Sequence, residues 1–226
     1  MRVLVFDLDE TLCDLAKPIL EENVQLLKTL EIKGNMIAIC SGKPVYYLCG
    51  LARQIGLNKP ILIGENGAVI QFGVDLPPKA YYVVSKQIST IKKLQIIKNE
   101  MQEIFANRLW FQPNEVGLTP FPYDDKTFEE VKTYLLKKDL TDCSIYEQSD
   151  CFDIVPNDVS KYYGLVYLSQ ILKLSSNDFI AIGNGVNDYP MFAFSQYSIG
   201  IKVLDRSKVD YYFDDINEAL KFLSNF

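Results

Sequence analysis

The sequence predicts an α/β protein, a doubly wound, Rossmann-like parallel sheet core with an inserted α+β cap unit. Three observations carry this prediction. Short apolar runs alternate with helix-length amphipathic segments through residue 64 and again after about residue 160, the βαβ pattern of a parallel sheet. Each run stops at a polar or glycine-containing turn, where open α/β sheets gather their ligands. At 226 residues the chain also exceeds the ~100 to 150 residues of one ordinary domain without reaching two. That length leaves room for an insertion.

Val3 to Phe6 reads as a strand buried on both faces that stops at Asp7. Pro18 suits a first helical turn, Leu20, Val24 and Leu27 share a face, and Gly34 ends the helix. Met36 to Cys40 is a second buried strand, ending at Ser41-Gly42. Val45 to Ile55 is a helix closed by Gly56, and Ile61 to Ile63 a third strand ending at Gly64. Right-handed crossovers join such units.

The middle of the chain has a different texture. Val69 to Phe72 suits a hairpin arm, Leu76-Pro77-Pro78 breaks the chain, and Tyr81 to Val84 is a strand candidate. A helix is expected from about Gln87 to Ala106, with Ile88, Ile91, Leu94, Ile97 and Met101 on one stripe. Leu109 to Phe111, Val116 to Phe121 and Ser144 to Tyr146 are short strand candidates, and Lys126 to Lys138 a second helix. Together they suggest a cap over residues 75–153, inserted between core segments 1–74 and 154–226. The core resumes with a helix from Lys161 to Leu172, a buried strand from Phe179 to Ile182 and a polar loop from Gly183 to Asp188. Ser198 to Ile201 and Tyr211 to Phe213 read as edge strands, and Ile216 to Leu223 as a closing helix.

Composition narrows the chemistry. The chain has no histidine, which removes Ser/His/Asp and Cys/His nucleophile systems, histidine-ligated zinc and proximal-histidine haem. The work falls to carboxylates, hydroxyls, thiols, lysines and a hard metal ion. A net charge of -6 disfavours nucleic-acid phosphates and suits a small phosphorylated ligand better. No apolar run spans a membrane and the N-terminal run is too short for a signal peptide, so a cytoplasmic protein is expected. Five cysteines without a Cys-x-x-Cys pair point to reduced, packed thiols.

In a doubly wound sheet three of these strand ends converge on one crevice: Asp7-Leu8-Asp9-Glu10-Thr11, Ser41-Gly42 and Asn184 to Asp188. Alternation along Asp7-x-Asp9 points the two carboxylates differently, so one can attack or bind metal while the other moves a proton. Crowded acids repel unless a cation lies between them, and oxygen-only ligands favour Mg²⁺. A polar strand-end turn with a capping aspartate reads equally well from these residues alone. Ser41 alone reads as a helix cap before Pro44, and Lys161 alone as an exposed lysine at a helix start.

Phe6-Asp7-Leu8-Asp9-Glu10-Thr11-Leu12 resembles motif I (DxDxT) of the haloacid dehalogenase superfamily of phosphohydrolases. Cys40-Ser41-Gly42 resembles motif II, Val159-Ser160-Lys161 followed by Gly164 motif III, and Gly183 to Asp188 motif IV (GDGxND). Glu65-Asn66-Gly67-Ala68 is similar to the subgroup with a large C2-type cap, the Cof-like subfamily IIB. The resemblance implies a Mg²⁺-dependent phosphatase of small phosphate monoesters, such as sugar phosphates or phosphoglycolate-like acids, working through an aspartyl phosphate. By the same resemblance Asp7 is the nucleophile and Asp9 the acid and base. Ser41, Gly42, Lys161 and Asn187 hold the phosphate, Thr11 ties the turn, and Asp7, Asp9, Asn184 and Asp188 attend the metal.

Asn184 stands where relatives usually carry the first aspartate of motif IV. An amide oxygen has the same reach without the charge, so weaker metal binding is expected. A phosphotransferase or phosphomutase of the same superfamily, or an impaired binding protein, are the rival expectations. In the cap, Arg108, Trp110, Tyr123 and Lys126 are candidates for contacting substrate, although each also suits a packing or solvated position. The chain is expected to be a monomer or homodimer, with exposed tyrosines a possible dimer surface.

Overall fold

The computed structural model describes residues 1–225. Its central sheet has eight strands, in the order Tyr211–Phe213, Tyr197–Ile201, Phe179–Gly183, Val3–Phe6, Met36–Cys40, Ile61–Gly64, Val69–Phe72 and Ala80–Val83. Six are parallel: β1 (Val3–Phe6), β2 (Met36–Cys40), β3 (Ile61–Gly64), β10 (Phe179–Gly183), β11 (Tyr197–Ile201) and β12 (Tyr211–Phe213). Strands β4 (Val69–Phe72) and β5 (Ala80–Val83) continue it antiparallel. The order reverses about β1, whose neighbours are β2 and β10, so the crevice forms at the end of β1.

Alternation along the strands sorts the core into two layers. Leu4, Phe6, Ile37, Ile39 and Ile182 pack under α1 (Glu21–Ile32), α2 (Val45–Ile55) and α7 (Ile216–Asn225). Val3, Val5, Ala38, Cys40 and Ala181 face α5 (Lys161–Leu172) and α6 (Tyr189–Phe194). Asp7 continues the parity of Val3 and Val5, which turns it toward α5.

The inserted unit lies between β5 and α5. It holds α3 (Ile88–Phe105) and α4 (Asp125–Leu136), the hairpin pair β6 (Leu109–Phe111) with β7 (Pro120–Pro122), and the pair β8 (Cys143–Glu147) with β9 (Phe152–Pro156). Its core gathers Leu94, Ile97, Met101, Phe105, Val131 and Ile154. No helix among the described residues is long and apolar enough to cross a membrane.

Several elements depart from the pattern read in the sequence. Helix α1 starts at Glu21 rather than near Pro18, because Leu20 stays extended and exposed while Glu21 and Glu22 occupy the first turn, the favourable end of the helix dipole for acids. Strand β11 lies inside the sheet, since β12 pairs on its outer side. Ala80–Val83, assigned by sequence to the insertion, hydrogen-bonds with β4 as the edge of the main sheet. Ile88 is exposed, and the buried stripe of α3 runs instead through Leu94, Ile97, Met101 and Phe105.

Val116 to Phe121 is not one strand, and the reason is a carboxylate. Glu65 is 3% exposed, and its Oε1 accepts from Glu115 N at 2.7 Å while Oε2 accepts from Val116 N at 2.8 Å and Gly117 N at 3.0 Å. These amides are satisfied by a side chain of the core instead of by a neighbouring strand. Val116, Val155 and Val159 pack with Val45, Ala68 and Val69 around this contact. Tyr81 donates its hydroxyl to Glu115, and Gln112 Nε2 donates to Gly42 O at 2.9 Å. The inserted unit is thereby latched onto the core next to the crevice.

Glu65→Ala leaves three backbone donors unanswered at a buried contact. It is expected to cost about 3 kcal/mol in urea unfolding, given ~1.5 to 3 kcal/mol for hydrogen bonds to charged groups and imperfect additivity. A variant within about 0.5 kcal/mol of the parent, the range of ordinary surface changes, would contradict the latch.

Candidate active site

Asp7 follows β1 directly, and its N–H donates to Ile182 O at 2.8 Å, which ties the strand end to β10. Beneath it lies a buried triplet of charges. Lys161, the first residue of α5, donates from Nζ to Asp7 Oδ1 and to Asp188 Oδ1, both at 2.6 Å. Lys161 is 1% exposed, Asp188 0% and Asp7 6%. Burial, followed by the Asp188 carboxylate, pushes the Asp7 carboxyl up to about 7 against the opposing pull of Lys161. Burial works against the Lys161 ammonium, but Asp188 and Asp7 outweigh it and raise the lysine.

Close backbone packing fixes this triplet. A Cβ on Gly67, at φ +102°, would stand 2.2 Å from Ser160 O, and only glycine lets that turn meet the start of α5. Ser160 caps the helix by accepting from Tyr163 N at 3.3 Å. On the other side Asp188 Oδ2 accepts from Asn184 N and Gly185 N, both at 2.8 Å, folding the loop after β10 around the carboxylate.

Above the triplet is a cleft of about 190 Å³. From the core it is lined by Asp7, Asp9, Ser41, Gly42, Asn184 and Asn187, six of the residues singled out by sequence. Lys161 and Asp188 form no part of its wall. Asp188 has one oxygen on Lys161 and the other on two amides, so it supports the floor from behind. Thr11 Oγ1 donates to Asn184 Oδ1 at 2.9 Å, joining the first and last strand-end loops. Ser41 is buried, and its Oγ accepts from Lys43 N at 3.2 Å.

Lys43 is a lining residue that the sequence reading passed over. Its Nζ lies 3.5 Å from Asp9 Oδ2 and 5.8 Å from the centroid of the Phe121 ring. The inserted unit closes the cleft with Gln112, Phe121, Gln148, Asp150 and Asp153. None of the four candidates named from its sequence lines the cleft. Arg108 pairs with Glu130 at 2.6 Å, Trp110 packs at a tilt against Phe121 while half exposed, and Tyr123 and Lys126 face solvent.

Among the described residues no three His, Cys, Asp or Glu side chains are grouped as metal ligands. The donors at the floor nevertheless suit a hard cation. They are all oxygens, Asp7 is a buried carboxylate pressed by a second one, and the amide oxygen of Asn184 is held in place by Thr11.

The sequence matches the family model of sucrose-6F-phosphate phosphohydrolase over residues 1–223. The chain belongs to that family, within the haloacid dehalogenase superfamily. A phosphoglycolate phosphatase of Thermoplasma volcanium is 25% identical over 192 residues, covering 85% of this chain and 81% of the relative. A crystal structure of a Thermotoga maritima protein superposes with a TM-score of 0.79 at 17% identity, covering 100% of this chain and 97% of that one. The C-terminal domain of C. albicans trehalose-6-phosphate phosphatase gives 0.73 at 17% identity, covering 100% and 92%. These two folds agree with the parallel core and its cap.

Two measurements test the triplet. Lys161→Met leaves Asp7 and Asp188 buried without their counter-ion and is expected to cost about 3 to 5 kcal/mol in chelator-treated protein. Adding Asp188→Asn to Lys161→Met should recover part of that loss. For pH, a carboxyl raised on folding binds a proton more tightly in the folded state, so its contribution to stability falls as pH rises from 3.8 through about 7. Asp7→Asn should flatten that portion of the pH profile of unfolding without metal.

Proposed function

We propose that this phosphoric monoester hydrolase cleaves a small-molecule phosphate monoester with Asp7 as nucleophile and Asp9 as general acid and base. The observation that carries the reading is the Asp7–Lys161–Asp188 triplet at the floor of a cleft where the strand order reverses. Lys161 holds one oxygen of Asp7, which fixes the direction of the carboxylate toward the cleft. An Asp7 oxygen attacks phosphorus as the bond to the leaving oxygen breaks, and Asp9 delivers its proton to that oxygen. Asp9 then takes a proton from water, which attacks phosphorus and releases Asp7 and phosphate.

Ser41, Gly42 and Asn187 line the same space and are suited to the phosphoryl oxygens, with the Lys161 charge beneath them. Asp7, Asp9 and Asn184 would hold Mg²⁺ and Asp188 would brace them from behind. When bound, the ion supplies positive charge against the repulsion between carboxylate and phosphate. Phe121 and the turn around Asp150 cover the cleft, as befits a small substrate shielded from bulk water.

Asp7→Asn is expected to lower release of free phosphate from an aryl phosphate by at least about 10³-fold, the scale of losing a nucleophile. Acid quenching should trap phosphoenzyme in the parent and none in the variant. Asn184→Asp adds a ligand charge and should lower half-saturating Mg²⁺ about three- to tenfold. Equal Mg²⁺ requirements in the two proteins would remove Asn184 from the metal site.

A further inference from the structure

A second cavity lies on the other side of the loop that carries Asp9 and Thr11. It measures about 400 Å³ against about 190 Å³ for the cleft and shares only Glu10 with it. Its floor is Thr11, Leu12, Asn23 and Ile201, none more than 3% exposed, and its rim is set with exposed charged side chains of both signs.

Two helices bring their N-termini to this cavity, α1 through Leu20 and Asn23 and α7 through Asp215 and Ile216. The two ends differ. Asp215 caps α7, its Oδ1 accepting from Asn217 N at 2.5 Å. Leu20 stands at the N-cap of α1 and offers no acceptor, so the first-turn amides of this twelve-residue helix are without a side-chain cap. Asn23 supplies an independent observation. Its Oδ1 accepts from Asn217 Nδ2 at 2.9 Å, which fixes the plane of the amide. Its Nδ2 donates to no group among the described residues and is not enclosed by protein, so these N–H groups open onto the cavity that Asn23 lines. A polar side chain buried to this extent ordinarily has its donors answered.

The floor therefore calls for an acceptor of the carboxylate kind. The rim disfavours a simple anion: Glu10, Asp14, Asp214 and Asp215 set four carboxylates against the ammonium groups of Lys17 and Lys202. A ligand bearing negative charge alone meets net repulsion there, so it has to bring a cation as well. Between floor and rim, Leu12, Leu20 and Ile201 offer hydrocarbon surface.

We infer that this cavity is a binding site for a free α-amino acid with an apolar side chain, distinct from the catalytic cleft. The carboxylate meets the Asn23 amide and the N-terminus of α1, the ammonium lies among the rim aspartates, and the side chain packs on Leu12, Leu20 and Ile201. A free amino acid combines the three groups within a few bonds, whereas a phosphate lacks the cation and a simple amine lacks the acceptor. The site is independent of the phosphatase reading.

The test is isothermal titration calorimetry of the full chain with L-leucine, L-isoleucine, L-valine, L-methionine and L-phenylalanine. At least one is expected to bind with one-to-one stoichiometry. Its amide, without the carboxylate, and its deaminated acid, without the ammonium, should each bind at least about tenfold more weakly, the scale of one charge-assisted contact. Asn23→Leu removes the floor donor and is expected to weaken the tightest amino acid about tenfold or more. Asp14→Asn combined with Asp214→Asn alters only exposed rim side chains and should weaken it several-fold, which keeps the test open if Asn23→Leu, having lost Asn217 as a partner, fails to fold. Thermal unfolding reports the fold of each variant. Asp7→Asn should bind the amino acid as the parent does, because Asp7 lines the cleft and not this cavity. No saturable binding by any of the five up to a few millimolar would overturn the inference, as would the deaminated acid or inorganic phosphate binding as tightly as the amino acid. Affinity unchanged in the folded Asn23 or rim variants, or lost in Asp7→Asn, would overturn it equally.

Discussion

A lysine ammonium buried between two carboxylates is the constraint on which the rest of this molecule depends. Lys161 touches Asp7 and Asp188 at equal distance with almost no access to water, and the three charges sum to -1 when both carboxylates are ionised. Such an arrangement is tolerable only where geometry is held closely, because each ion forgoes hydration that the others must replace. The surrounding structure meets that demand. Helix α5 is pressed against the turn at Gly67, the loop after β10 is wrapped around Asp188, and Asp7 is anchored to β10 through its amide. The remaining negative charge faces the cleft, where a hard cation and a phosphate oxygen have reason to meet.

The second organising contact is a carboxylate answering backbone rather than charge. Glu65 lies in the turn that follows β3 and receives three amides from the inserted unit. Burial raises its carboxyl above the usual range, and the three N–H groups oppose that shift. The position of the cap wall is thus set from the core, within a few residues of Ser41-Gly42 in space, so that recognition and chemistry share one scaffold. The cleft has charged groups on both sides, Asp7, Asp9 and Lys43 from the core and Asp150 and Asp153 from the inserted unit.

Much of this was legible in the sequence because strands buried on both faces leave unmistakable apolar runs, and the polar residues after them fall at the sheet's carboxyl edge by topology alone. Asp7, Ser41 and Asn184 meet in space for that reason. Asp9 and Asn187 line the same cleft, while the reading of Lys161 as an exposed helix lysine yields to its complete burial. The cap was legible as a unit and not in its contacts. Val116 and Gly117 have strand-like neighbours, but their amides are claimed by Glu65, 51 and 52 residues away in the chain, which no local pattern reveals. The turn bearing Asp150 owes its place at the cleft to the pairing of β8 with β9 and to packing against the core. Lys43 was the recoverable omission, since it directly follows Ser41-Gly42 and precedes the helix-starting Pro44-Val45.

The loop after β10 carries a consequence for how such a sequence can change. A Cβ on Gly183 would lie 2.5 Å from Asp188 Cγ, and that same carboxylate holds Lys161 and two amides. Any side chain at residue 183 displaces Asp188, and any shortening of Asp188 strands Lys161. A change at either position therefore disturbs the other. Val186, 71% exposed, is the place in the loop where sequence drift is least encumbered.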